Sequence, residues 1–198
     1  MRVRAGTAGR TERTGADMLR LPGIVLGVGL GGFADGILLH QVLPWHHMLS
    51  STDTDNVGVR AYPVDTVDGL QMNTLWDGLF HVVTWVAVLT GLALLHARVG
   101  RARGRLWRSR ALWGWALVGW GMFNLVEGVV DHHPLGIHHV HGGPHRTWWD
   151  VGFLVFGALL VAGGWALRRG GEVRGTPDDG AGTDARNGQV ATGTGPAG

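Results

Sequence analysis

Four long apolar segments constrain the fold of this chain more than any other feature of its sequence. They cover residues 21–43, 79–97, 111–130 and 151–167, and they carry almost no charge. Each has about 17–23 residues, which as an α-helix is long enough to cross a hydrocarbon core of roughly 30 Å. Four such helices leave too little amphipathic surface to cover them in water. We therefore predict an all-α, four-helix transmembrane bundle.

Two tails of different composition flank this predicted membrane domain, which covers residues 21–167. Residues 1–20 contain five arginines and no apolar run, and residues 168–198 consist largely of small and polar residues. Neither tail can bury enough apolar surface to fold, so both are predicted to be disordered and cytoplasmic. The second helix could begin before the membrane, near Val64. The membrane-spanning helices are expected at about 21–43, 75–97, 111–131 and 148–168.

The basic residues, all 17 of them arginine, are distributed unevenly between the connections. The N-terminal tail, the second connection and the start of the C-terminal tail are rich in arginine. The other two connections hold one arginine each, Arg60 and Arg146. Because cytoplasmic loops carry an excess of basic residues, we predict a multi-pass protein of the cell membrane with both termini in the cytoplasm.

Two counts exclude other classes of protein. The chain has no cysteine, which excludes disulfides, thiolate metal sites and thiol catalysis. Its net charge of +2 is too small to indicate a nucleic-acid-binding protein. We therefore predict that the chain contacts the lipid bilayer and does not bind nucleic acid. The sequence leaves open a homo-oligomer or a membrane-protein partner.

Polar residues recur within the apolar segments, mostly toward the extracytoplasmic end. A carboxylate at the centre of a membrane helix costs about 2.5–3.5 kcal/mol, so such residues need compensating partners. Asn73, Asp77 and His81 are spaced by four residues, which places them on one face of the second helix. Asp35 and His40 are five residues apart on the first helix, so we expect them to diverge.

A second polar stripe lies on the third helix and is formed by Asn124, Glu127 and Asp131. Histidine with carboxylate and no thiolate is a ligand set for zinc, iron or divalent copper. We therefore predict a metal site in the outer half of the bundle, for metal handling or metal-dependent chemistry. The predicted ligands are His40, His47, His81, Glu127 and His132. Their predicted orienting partners are Asp35, Asp77, Asn124 and Asp131.

Three alternatives remain open on the sequence. Haem b could be held between His40 and His81 on neighbouring helices. The polar stripes could instead only hold the helices together in a non-catalytic scaffold or assembly factor. A diiron enzyme of the desaturase kind ranks below haem, because the spacing of the histidine pairs does not match and their predicted side is extracytoplasmic. Whether the chain is an enzyme is not decided by its sequence.

Several polar segments resemble those of one known family. They are Gly32–Ile37, His40–Gln41, Trp45–Leu49, Asp77–His81, Phe123–Gly128, Asp131–His133 and Ile137–Val140. These segments resemble the bacterial membrane proteins grouped as domain of unknown function 2243. The resemblance covers about residues 21–167 and neither tail. It implies an integral membrane protein and implies no activity, because the family has none assigned.

Overall fold

The computed structural model describes residues 17–50, 59, 62–99, 109–130 and 139–172, and the regular elements within them are helices. In chain order they are α1 (Arg20–Asp35), α2 (Val67–Val99), α3 (Arg110–Val130) and α4 (Arg146–Glu172). The first helix continues directly into a π-helix, Gly36–Val42. The prediction of an all-α, four-helix domain is confirmed.

Two helices are longer than the spans predicted for them. The second begins at Val67 because Thr66 caps it: the Thr66 hydroxyl accepts the amide of Gly69 at 3.2 Å. The fourth runs to Glu172, four residues past the predicted end at 168. The predicted tails, residues 1–20 and 168–198, lie mostly outside the described residues.

The centre of the bundle is formed by α1 and α3. The first helix packs against both α2 and α3, and α3 packs in turn against α4. A Cβ atom added at Gly27 would overlap the carbonyl oxygen of Ala116, and one added at Gly119 would overlap the carbonyl oxygen of Ile24. Glycine at both positions therefore lets the two backbones touch, which is how small residues bring membrane helices together.

Within the described part of the chain, three helical segments are long and apolar enough to cross a membrane: Arg20–Val42, Val67–Arg98 and Arg146–Arg169. The remaining helix, α3, has 21 residues. At 1.5 Å per residue this length also suffices for a core of roughly 30 Å. The mean hydropathy of α3 is lowered by its glycines and tryptophans and by Asn124 and Glu127. Because α3 packs between α1 and α4, it needs fewer apolar side chains facing lipid.

The end of the first span departs from α-helical geometry. Gly36–Val42 is π-helical, and the amide of Leu43 donates to the carbonyl of Leu38, five residues earlier, over 2.8 Å. Residues five apart lie on one face in this geometry. Asp35 and His40 therefore face each other. The expectation that they diverge is wrong, because it assumed α-helical spacing throughout.

Candidate metal centre

Four buried side chains with metal-ligand atoms meet where α1 ends. They are Asp35, His40, His46 and Glu127, here called the four-residue cluster. Each offers one nitrogen or carboxylate oxygen, and these atoms all lie within 4.8 Å of one another. The four residues are between 1% and 8% exposed. One comes from α1, one from the π-helix, one from the loop that follows, and one from α3.

The orientation of His40 is fixed from both sides of its ring. Its Nδ1 lies 3.1 Å from Oδ1 of Asp77, and its Nε2 lies 3.4 Å from Oδ2 of Asp35. A carboxylate only accepts, so neutral His40 donates from Nδ1 and directs the lone pair of Nε2 toward Asp35. Among the described residues, neither oxygen of Asp35 has a hydrogen-bond partner. Two electron-rich atoms at this distance require a proton or a metal ion between them.

The ring of His46 is held by a segment that precedes α4. Its Nδ1 donates to the carbonyl of Val140 at 3.0 Å, which directs Nε2 away from that contact. The same segment is fixed by Asp150 on α4, whose oxygens accept the amide of Val140 at 3.0 Å and Nδ1 of His139 at 2.6 Å. Asp150 therefore helps to position His46 through Val140.

Asp77 organises the side of the cluster that α2 provides. Its carboxylate accepts Nδ1 of His40, Nδ1 of His47 at 2.6 Å and the backbone amide of Met48 at 2.8 Å. One turn earlier on the same helix face, Asn73 accepts another amide of this loop at 3.2 Å. These contacts fasten the loop that carries His46 onto α2, which is the geometry expected of an orienting residue.

Two of the predicted ligands lie outside the four-residue cluster. His47 contacts the carboxylate of Asp77, and its neighbour His46 occupies the cluster instead. His81 lies with its Nδ1 2.7 Å from the carbonyl of Asp77, one turn back on the same helix. No sequence signal distinguishes the two adjacent histidines, because the choice between them depends on how the loop folds onto α2.

The predicted orienting partners also occupy different positions. Asp35 belongs to the cluster itself, because the π-helix brings it to His40. Asn124 is buried one turn before Glu127 but lies against Gly157, in the contact between α3 and α4. Two predicted residues lie outside the described part of the chain: Asp131 and His132.

One separation within the cluster matches the spacing of two ligands on a single metal ion. With bonds of about 2.0–2.2 Å, two ligands of a tetrahedral ion lie about 3.4 Å apart. The 3.4 Å between Nε2 of His40 and Oδ2 of Asp35 matches this separation. The arrangement can supply two imidazole nitrogens and two carboxylates, with both rings oriented by hydrogen bonds at Nδ1.

Comparison with known proteins gives one match. Residues 22–171 match a family model described as "Predicted membrane protein (DUF2243)". The matched region includes the four-residue cluster and nearly the whole length of all four helices. No curated protein and no solved structure matches the chain.

Proposed function

This chain belongs to the DUF2243 family of predicted membrane proteins, and we propose that it binds one divalent transition-metal ion inside its helix bundle. The ligands are the four-residue cluster: Asp35, His40, His46 and Glu127. The observation that carries the proposal is that four buried ligand atoms from separate parts of the chain lie within 4.8 Å of one another.

Charge compensation supports the proposal. Asp35 and Glu127 are both buried, and an ionised carboxylate inside an apolar environment is costly unless an opposite charge accompanies it. One divalent cation would neutralise two carboxylates, while the two imidazoles bind as neutral ligands. The ion and its four ligands together would therefore carry no net charge, which suits a helix bundle in a membrane.

The ligand set favours zinc, ferrous iron or divalent copper. All three ions accept imidazole and carboxylate together, whereas the cluster includes neither thiolate nor thioether ligands that would select cuprous copper. Haem b is less well supported, because Nε2 of His40 already faces Asp35 at 3.4 Å. The ring of His46 lies only 4.6 Å from that of His40, centroid to centroid. These neighbours leave no width for a porphyrin against His40.

Metal analysis of the detergent-purified protein tests the proposal. We expect about one ion per chain in the wild type after supplementation with zinc, ferrous iron or divalent copper. His46→Ala should weaken binding by at least about tenfold, a loss of roughly 1.4 kcal/mol. His96→Ala, at the exposed far end of α2, is the matched control and should bind as the wild type does. A wild type that takes up no stoichiometric metal would instead support the scaffold alternative.

We also propose that both termini lie in the cytoplasm of the cell, with the four-residue cluster toward the opposite side. The uneven distribution of arginine between the connections supports this orientation. Since the chain has no cysteine, single cysteines can be labelled without background. Gly142→Cys should react with an impermeant maleimide added outside intact cells, and Ala97→Cys should react only after lysis. The opposite pattern would reverse the topology.

A further inference from the structure

An apolar pocket of about 330 Å³ adjoins the four-residue cluster. It lies between α2 and α3, which both pack against α1. Its walls include Phe80 of α2 and Met122, Phe123 and Val126 of α3. Among the described residues that line it, Glu127 is the one ionisable residue. This volume falls in the range of pockets that hold small organic ligands.

The pocket opens toward the region that lipid would occupy. Met122 and Val126 are 44% and 60% exposed, although both belong to a helix at membrane depth. A molecule dissolved in the bilayer can therefore reach the pocket sideways, without crossing water. An apolar pocket of this kind favours an apolar chain as its ligand, because each methylene group buried away from water contributes about 0.8 kcal/mol to the free energy of binding.

Glu127 connects the pocket to the four-residue cluster, because it belongs to both. A bound divalent ion would already be neutralised by Asp35 and Glu127. An additional anionic headgroup would then bring an uncompensated negative charge into an apolar site, which is unfavourable. A neutral oxygen, as in an alcohol or a ketone, meets no such penalty and can join the four protein ligands as a fifth ligand of the ion.

Resting on the metal site proposed above, we propose that this pocket binds a neutral long-chain lipid whose hydroxyl or carbonyl oxygen points to the four-residue cluster. The apolar chain occupies the space between α2 and α3. The ligand class is therefore a long-chain alcohol or a lipid-soluble ketone, and not a free fatty acid.

Photolabelling of the full-length protein in nanodiscs tests this inference. The probe is an alkyne-tagged hexadecanol with a diazirine in its chain, added to the zinc-loaded protein. Labelled peptides should include Phe80 or the segment 122–130, and excess unmodified hexadecanol should remove most of the labelling. Palmitate should compete much less. Removing zinc with a chelator should lower labelling, because the headgroup loses its contact.

A pair of variants controls for non-specific labelling. Val126→Trp fills the mouth of the pocket and should abolish the labelling while the protein keeps its zinc. Val129→Trp is the matched control, because this residue is also exposed on α3 but does not line the pocket. Its labelling should equal that of the wild type.

The outcomes separate the two proposals, because zinc is measured on the same samples. The lipid site is overturned if the protein holds zinc but unmodified hexadecanol does not reduce the labelling. It is also overturned if Val126→Trp is labelled as strongly as the wild type. Neither result affects the metal site. Equal competition by palmitate overturns the preference for a neutral headgroup. No zinc in the wild type overturns the metal site, and with it the proposed headgroup contact.

Discussion

At the scale of single residues, the site depends on side chains that hold the ligands as much as on the ligands. Asp77 accepts a hydrogen bond from His40 and two more from the loop that carries His46. It therefore fixes which nitrogen of His40 faces the cluster and where His46 lies. Outer partners of this kind set the tautomer and orientation of metal-bound histidine.

Asp77→Asn should therefore weaken metal binding although Asp77 is outside the four-residue cluster. The amide replaces one accepting oxygen by a donor, so it cannot accept from both histidines. We expect the affinity for zinc to fall roughly 10–100-fold, measured by competition with a chelating dye. Asp68→Asn, on an exposed first turn of the same helix, is the control. Equal affinities for both variants would show that Asp77 does not position a ligand.

At the scale of helices, the cluster requires α1 and α3 to stay in close contact, since they carry Asp35 and Glu127. That contact is made by backbone at Gly27 and Gly119.

At the opposite end of the bundle, Arg168 joins α3 to α4. Its guanidinium lies 4.6 Å from the ring centroid of Trp115 and 4.1 Å from that of Trp165.

Gly27→Ala should destabilise the bundle, because the added methyl group would overlap the backbone of α3. We expect a loss of about 1–3 kcal/mol, the usual cost of overpacking, measured as unfolding in detergent. Gly78→Ala is the matched control: it lies on an exposed part of α2, where a Cβ atom meets nothing within 4 Å. That variant should be as stable as the wild type or slightly more so, since alanine favours helix.

Trp165→Ala should loosen the contact between α3 and α4, because it removes the edge-to-face contact of Trp165 with Trp115 of α3, whose ring centroids are 6.0 Å apart, and one of the two rings that hold Arg168. A cation–π contact contributes about 0.5–2 kcal/mol, depending on exposure, and the unfolding midpoint should fall accordingly. Trp148→Ala removes a ring that is 75% exposed and should change the midpoint little. A larger effect in Trp148→Ala would argue against the arginine contact.

Sequence periodicity predicted the helices and the depth of their polar residues, because both follow from hydropathy and from the spacing of an α-helix. Asp77 and Glu127 were found in this way. His46 and the role of Asp35 were not. His46 lies in a loop that is placed by contacts with α2 and with Val140, and Asp35 meets His40 only because the helix changes type. Neither effect leaves a periodic pattern.

At the scale of the whole molecule, the four-residue cluster exists only in the folded bundle. Its members come from α1, the π-helix, a loop tied to α2 and α4, and α3. The unfolded chain has no comparable arrangement of ligands. Binding of the proposed ion would therefore be coupled to folding, and the ion would stabilise the native state.

Zinc should accordingly raise the unfolding temperature of the wild type in detergent. At a free concentration 100 times the dissociation constant, the gain is about 2.7 kcal/mol. Glu127→Gln should lose this response because it removes one carboxylate ligand. His145→Ala, in an exposed residue of the segment before α4, should keep it. A zinc response shared by all three proteins would indicate binding elsewhere.

The π-helix has a consequence for changes in chain length. Five residues separate Asp35 from His40 where an ordinary α-helix would need four, so this stretch holds one spare residue. Deleting Leu38, which is 53% exposed, should convert the segment to α-helix with the two side chains still facing each other and metal still bound. Deleting Leu30 instead, which lies between Gly27 and Asp35, turns one part of α1 by about 100° relative to the other. That deletion should separate the glycine contact with α3 from the cluster and abolish metal binding. This helix should therefore tolerate loss of a residue in its π-helical part but not between Gly27 and Asp35.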